Sequence, residues 1–558
     1  SEMCIRDRNE ARVFRCRAMT KYLQHWLASE PSEKRSFLDE CLELKRSALK
    51  LFWELGDKLE YGRTFNRVWM LSLFRASYEW DLQARKRLWE EGRAWGEKAV
   101  EGLSELGQLY EHTLAITNLV EYIWASVYDT IADPEERERS HLEFIERVSK
   151  AVISAERVGD AYLTGFAQFL LGRLLSVYEN LSHYQKALEF FERTGDIFMK
   201  AHCLNWLAYI KYWMATGSED PDQRRILTEE AMGFYDRAES YFSIMSFRIR
   251  EHAGKLFAPT PGGHAEYCLD SAEWEVDPDK RLALLEKSER DGRKALDIAE
   301  DSDVPIPINR MCHILSRTLM SRARVENNVE TKKRLLEEAL RLRERNLEIV
   351  EQRAPFHYWN NGVYYNLYAH LKADLAYIQP DPDTRRSLLE DAVFIMEKSL
   401  QNFSKILPWY AKIGATTYFA QVTRYQDDAA STLIRLYKES NNPSHLRRAM
   451  QIWQEEIDSA KKGEVISRVA ESQWEIAKAQ GMLGEHSEAA ESFQQASESY
   501  MKVAEKIPQL KDFFQDYAKY MEAWSEIEKA RQLHAEREYG GARLHYKKAA
   551  ELHEATVR

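Results

Sequence analysis

Proline and glycine are scarce in this chain, 14 and 23 among 558 residues. That is too few for a β-rich protein with many tight turns, so long helices are the natural reading. The six cysteines, at 4, 16, 41, 203, 268 and 312, are scattered and form no CxxC pair. A zinc knuckle, a thioredoxin motif and a haem attachment site are therefore unsupported, and reduced thiols in the cytoplasm are the simplest account. No segment approaches the roughly 18–20 apolar residues of a membrane span. Ala161–Gly172, the longest uncharged stretch of interest, falls short, and no secretory signal is visible. Basic excess is missing too: the net charge is −11, which argues against general nucleic-acid binding. The arginine runs Arg322–Arg324 and Arg341–Arg345 sit among glutamates on helical spacing and read as solvated faces.

What is present is material for a large core. Hydrophobic residues make up 44% and charged residues 30%, with 28 Tyr, 22 Phe and 15 Trp, the balance of a folded protein. At 558 residues the chain is too long for one compact core, and an internal repeat resolves the problem. Asp133-Pro134-x-x-Arg137 recurs as Asp220-Pro221-x-x-Arg224, Asp277-Pro278-x-x-Arg281 and Asp381-Pro382-x-x-Arg385. Asp81-x-x-x-Arg85 lacks the proline, and Glu30-Pro31-x-x-Lys34 and Asn328-x-x-x-Lys332 are looser copies. The basic anchors lie 51, 52, 87, 57, 51 and 53 residues apart, the long gap holding a shorter unit around Tyr184, Ala187 and Phe191.

The signature describes a helix start. Aspartate accepts a hydrogen bond from first-turn N–H groups, and proline fits N1, where no N–H is required. Gly56, Gly107, Gly159 and Gly195 mark the other end, as C′ residues after long amphipathic helices. An asparagine follows in the next helix at 66, 118 and 205, in each case 19 residues before a basic anchor. Each unit thus reads as glycine, helix A with a central Asn, a Pro-marked loop and a long helix B. Helix A is rich in aromatics, among them Phe65, Trp69 and Phe74; Tyr122, Trp124 and Tyr128; Trp206, Tyr209 and Trp213; and Tyr364, Tyr365 and Tyr368. One hairpin cannot bury such faces alone, whereas stacked neighbours can.

With its Gly-Asp, central Asn, turn, and alanine on the following helix, the unit resembles the tetratricopeptide repeat. It is most similar to the Asn-bearing type of kinesin light chains and of the sensor arms of signal-transduction NTPases. Asn205-Trp206-Leu207-Ala208 is similar to that family's Asn-Leu-Ala helix. The C-terminal units, 463–558, follow the family order more closely through Trp474, Ala477, Gly484, Ala489, Phe493, Ala496 and Pro508, then Trp524, Ala530, Tyr539, Ala542, Tyr546 and Ala549. The resemblance implies an all-α fold, an α-solenoid of about 10–11 stacked antiparallel helix pairs in a right-handed superhelix. The period of about fifty residues exceeds the family's 34, which leaves the pitch and groove open. Irregular structure is expected near 258–277, with Pro259, Pro261, Gly262 and Gly263, and again over Asp301–Ile308.

The resemblance also implies a function: helix A lines a concave groove, and its asparagine bonds the backbone of a bound peptide, for which an amide offers both donor and acceptor. Carried over by position, the groove candidates are Asn66, Asn118 and Asn205, with Asn309 and Asn361 after them. The same amides can instead bond between adjacent helices. The partner expected is a protein or peptide, with no nucleic acid, membrane or cofactor. Arg67, Lys211 and Arg310 would favour an acidic one.

Catalytic and metal motifs do not emerge. GxxxxGK[ST] and HExxH are both missing, and only Glu138-x-x-His141 has di-iron spacing, where two such pairs are needed. His264, Glu266 and Cys268 alternate in a Gly/Pro-rich stretch, and an all-α enzyme would have to be built there. Gln426-Asp427-Asp428 lacks further carboxylates at helical spacing. Ser1-Glu2-Met3-Cys4-Ile5-Arg6-Asp7-Arg8 reads as translated adapter sequence from a metagenomic assembly, so 1–8 is set aside and the repeat array is taken as 9–558. On that reading the chain is a C-terminal fragment. The second functional expectation follows from it: a sensor or regulatory arm of a larger signalling NTPase or kinase, beside the first, a non-catalytic scaffold.

Overall fold

The computed structural model describes residues 2–28, 30–67, 69–173, 177–244 and 261–557, with side chains described except at 2–4, 124–130, 134, 177–179, 239, 242–244, 261–264, 267, 274, 302 and 555–557. Among these residues the chain is helical with short turns and contains no strand. Counted in chain order, eleven successive A/B pairs emerge, beginning with Glu2–Leu27 and Pro31–Glu54 and ending with Lys511–Ala535 and Tyr539–Val557. This is an all-α helical-repeat solenoid. The contacts group into two compact units, Ser1–Ile210 with Glu230–Asn361, and Lys211–Glu229 with Gly362–Arg558. No helix among the described residues is long and apolar enough to cross a membrane.

The helix ends obey the repeated signature. Asp81, Asp133, Asp277 and Asp381 sit in extended backbone and accept from the backbone N–H groups of Ala84, Glu136, Asp279 and Thr384 at 2.6, 2.8, 3.0 and 2.9 Å. Each removes one orphaned donor of the first turn. Gly56, Gly107, Gly159 and Gly195 all adopt positive φ, between 64° and 75°, the left-handed conformation that turns the chain from helix B into the next A helix. Two stretches depart from expectation. The second A helix is broken, Lys58–Arg67 and Leu71–Ser77 being separate pieces. The stretch 258–277 is not an irregular insertion where it is described: Pro261–Trp274 is a helix packed on Pro278–Ser302, while 258–260 lie outside the described residues. Prolines and glycines crowded into a first turn leave the helix intact, because no intrahelical N–H is demanded there.

Two kinds of seam join the pairs. B helices are stitched by arginine–glutamate pairs reaching one repeat onward: Arg46–Glu91 at 2.6 Å, Arg147–Glu97 at 2.9 Å, Arg293–Glu338 at 2.5 Å and Arg448–Glu397 at 2.9 Å. These are partly exposed, so register and spacing matter more here than stability. The apolar faces close beneath them. In the first unit Phe52, Phe65, Leu103 and Tyr122 are buried together, and in the second Leu389, Ile452, Trp453 and Leu433.

Within the first unit the chain also meets itself far along the sequence. The Arg353 guanidinium donates to Ala76 O and Ser77 O at 3.1 and 3.2 Å, and Arg85 donates to Arg353 O at 2.5 Å. Arg137 donates to Ile131 O and Phe356 O at 2.7 and 2.6 Å and lies 4.7 Å above the Tyr358 ring. Arg137 is therefore a clasp that ties a loop to its own helix and to a distant turn, and Arg85 ties its helix to the same region. Buried charge of this kind is worth most when every donor finds a carbonyl. Arg137→Met keeps the stem and loses the donors; it is expected to cost about 2 kcal/mol, read as a lower urea midpoint with an unchanged m-value.

Candidate interaction face

A helices present the second seam, and it is polar. Lys58–Arg67 and Leu109–Thr130 are joined by an amide ladder: Asn66 Nδ2 donates to Glu111 O and Oε2 at 2.9 and 3.0 Å, and Asn118 Nδ2 donates to Asn66 Oδ1 at 3.2 Å. Asn66 is 7% and Asn118 1% exposed. These two groove candidates thus serve as rungs between helices. Asn361, also buried, donates to Ala354 O and Pro355 O at 3.0 and 3.1 Å, satisfying carbonyls at the end of the preceding helix Val329–Arg353. Asn309 is half-buried, and its Oδ1 and O accept from Asn346 Nδ2 at 2.5 and 3.1 Å.

Asn205 differs. Its side chain is half-buried and has no hydrogen-bond partner among the described residues. One residue on, Trp206 stacks on Tyr184 with ring centroids 5.7 Å apart, and Tyr209 meets Trp206 edge-on at the same 5.7 Å. Tyr209 is 37% exposed. An unbonded amide therefore lies beside an ordered, partly exposed aromatic ledge on one A helix, Ile197–Gly217.

Further along the first unit, A helices carry paired charge. Arg310 meets Glu266 at 2.5 Å, and Arg317 meets Glu273 at 2.7 Å and Asp270 at 3.4 Å. Burial raises the carboxyls of both Glu266 and Asp270; Arg310 overcomes it at Glu266, which ends below the ordinary carboxylate range, while Asp270 stays above it. Arg310, proposed for an acidic peptide, is thus already engaged. His202, buried, and His313, half-buried, are held neutral, chiefly by desolvation, then by Arg173 at His202, pushed down to about 3, and by Arg343 at His313. Of the possible enzyme centre, Cys268 is fully buried in the core and Glu266, two residues away on the helix, is paired with Arg310, while the His264 side chain lies outside the described residues. His141 is buried. No disulfide forms among the described thiols: Cys41, Cys203, Cys268 and Cys312 are buried and Cys16 is exposed.

In the second unit, three A helices line up differently. Asp428 on Thr416–Ser440 accepts from Asn366 at 3.2 Å and His370 at 2.8 Å, both on Tyr358–Ile378. Asp427 accepts from Trp453 Nε1 at 3.2 Å and faces Arg468 at 3.6 Å, while Glu471 meets Arg468 at 3.0 Å. Sequence reasoning set Gln426-Asp427-Asp428 aside for want of nearby carboxylates. The carboxylates come from other helices: Glu456 on Pro443–Lys462 and Glu471 on Ile466–Leu483. Only the fold brings them in. No group of three or more His, Cys, Asp or Glu suited to a metal occurs among the described residues.

No family model matches the chain, and no curated protein matches it. Among solved structures it is similar to a circular tandem repeat protein with a novel repeat topology, at 13% identity over 90% of this chain and 98% of that one, with a TM-score of 0.21. It is likewise similar to the Cut9–Hcn1 hetero-tetramer of the APC/C, at 13% identity over 97% and 96%, with a TM-score of 0.19. Scores this low carry no structural equivalence. It is the chain's own packing, A on B and repeat on repeat, that makes it a helical-repeat solenoid.

Proposed function

We propose that this protein is a non-catalytic interaction scaffold of tetratricopeptide type, which binds a peptide or protein segment along the A-helix face, with no covalent step. The observation that carries the reading is Asn205: a half-buried amide without an internal partner, next to the exposed edge of Tyr209, among asparagines that otherwise hold the scaffold together. An extended peptide backbone satisfies both the donor and the acceptor of such an amide, and the ring supplies apolar contact at little entropic cost. Asn309 takes part as a second contact, while Asn66, Asn118 and Asn361 act by fixing the spacing of the helices that present the face. Reduced, buried thiols are in keeping with a cytoplasmic setting.

Selection from a displayed random-peptide library by the full chain tests this. A consensus is expected to emerge, and Asn205→Ala is expected to weaken the selected peptides about five- to tenfold, the loss of one or two hydrogen bonds, at unchanged helicity and melting temperature. Failure to enrich any consensus, or peptides indifferent to Asn205→Ala, would remove the site.

A further inference from the structure

In the second unit one guanidinium stands among an excess of carboxylates. Arg468 is 30% exposed; it meets Glu471 at 3.0 Å and Asp427 at 3.6 Å, and Glu456 and Asp428 are close enough for their charges to act on it as well. Burial works against the charge on Arg468, and these four acids together still raise its pKa. They come from three helices, Thr416–Ser440, Pro443–Lys462 and Ile466–Leu483. Three of them open outward: Asp427, Asp428 and Glu471 keep 35%, 32% and 45% of their side-chain surface. Glu219 and Glu475 add to the field at Glu471.

Beneath this rim lies an unmet polar group. Glu456 is 1% exposed, and its Oε2 has no hydrogen-bond partner. A buried carboxyl oxygen without a donor, beside three half-open carboxylates, calls for a ligand that brings N–H groups and positive charge.

We propose that this acidic face is a docking site for a cationic segment of a protein partner, whose lysine or arginine side chain enters beside Arg468 among Asp427, Asp428, Glu456 and Glu471. The proposal rests on the scaffold reading and gives the partner's chemistry at a place distinct from Asn205. Charge complementarity selects the occupant: an anionic segment would meet the carboxylates of Asp427, Asp428 and Glu471 against one guanidinium. The buried Glu456 carboxyl, raised to about 9 chiefly by burial and then by Asp427, holds a proton at neutral pH. An incoming ammonium or guanidinium displaces that proton. Binding therefore tightens as pH rises, with Asp427, Arg468 and Glu471 as the charged groups facing Glu456, and with Asp428 already bonded by His370 and Asn366.

The test uses decalysine, with decaglutamate as control, titrated onto the full chain. Asp427→Asn with Glu471→Gln is expected to weaken decalysine at least about tenfold, the loss of two charge-assisted contacts. A charge-matched control, Glu390→Gln with Glu491→Gln on exposed B-helix positions, is expected to change it no more than about twofold. Equal weakening in both variants would reduce the effect to bulk charge and overturn the proposal, as would the absence of saturable decalysine binding. A second readout needs no loss of charge at the rim. Between pH 6 and 8 the wild type is expected to tighten about threefold or more, whereas Glu456→Gln stays flat. Parallel pH curves would count against the seat at Glu456. Decalysine binding that fails while Asn205-dependent peptides are still selected sinks this inference alone. Loss of the selected peptides as well sinks the scaffold reading.

Discussion

Trp453→Ala is expected to destabilise the second unit by about 3–5 kcal/mol. Trp453 is 1% exposed and, among the described residues, the largest of the fully buried side chains. It packs with Leu389, Ile395, Met396, Leu433 and Leu446, drawn from three helices, so no single element can move in to fill the space it leaves. The loss has a transfer part and a cavity part, and a rigid three-sided wall makes the second part large. The indole also donates to Asp427 Oδ1 at 3.2 Å. Trp453→Phe separates the two contributions. It keeps most of the bulk and drops the N–H, and is expected to cost about 1.5 kcal/mol or less beyond its volume change. Urea unfolding supplies the totals, and hydrogen exchange shows where the loss falls: protection should drop across Pro382–Lys412, Thr416–Ser440 and Pro443–Lys462. A uniform drop in Lys511–Ala535 and Tyr539–Val557 of the same size would mean that the unit unfolds as one block rather than by neighbouring repeats.

Much of this fold was legible because the repeat marks its own helix ends. Asp-Pro-x-x-Arg names the N-cap, the N1 proline and a basic residue one turn in, and Asp133, Asp277 and Asp381 occupy just those roles. Glycine at 56, 107, 159 and 195 fixes the reversals through positive φ. Both signals are local: they depend on residues within one turn. What the signature arginines do was not legible, since Arg137 reaches Phe356 and Arg85 reaches Arg353 across more than two hundred residues. The same distance hid the roles of the asparagines. Position alone makes Asn66 and Asn205 equivalent, yet Asn66 bonds Glu111 and Asn118 from the next A helix, whereas Asn205 has a ring beside it and no such neighbour. The acidic face shows the limit most clearly. Asp427, Glu456 and Glu471 share no helical spacing, and their convergence on Arg468 is a property of three stacked helices rather than of any window of sequence.

The buried acid also fixes how stability should depend on pH. An unfolded glutamate titrates near 4.5, and the Glu456 carboxyl in the folded chain is raised to about 9, by burial first and by Asp427 second. Between those values the native state holds a proton that the unfolded chain has released. The contribution is therefore fully present below about 4.5 and is lost as pH rises toward 9, by up to about 1.4 kcal/mol for each pH unit. Glu471, raised by the same burial, acts in the same direction. Glu526 acts in the opposite one: although burial opposes it, bonds from His545, Lys529 and Lys548 pull its carboxyl down to about 2, so its contribution is present above about 4.5 and fades as pH falls toward 2. Stability should then peak in the mildly acidic range and decline on the alkaline side through Glu456. Glu456→Gln carries a neutral side chain of nearly the same shape at every pH. It is expected to match the wild type near pH 5 and to exceed it by several kcal/mol at pH 9, read from urea midpoints in a single buffer series at fixed ionic strength. Two curves that run parallel from pH 5 to 9 would mean that Glu456 is ionised in the folded chain. The cation site described above would then have no proton at Glu456 to release, and binding there would not tighten with pH.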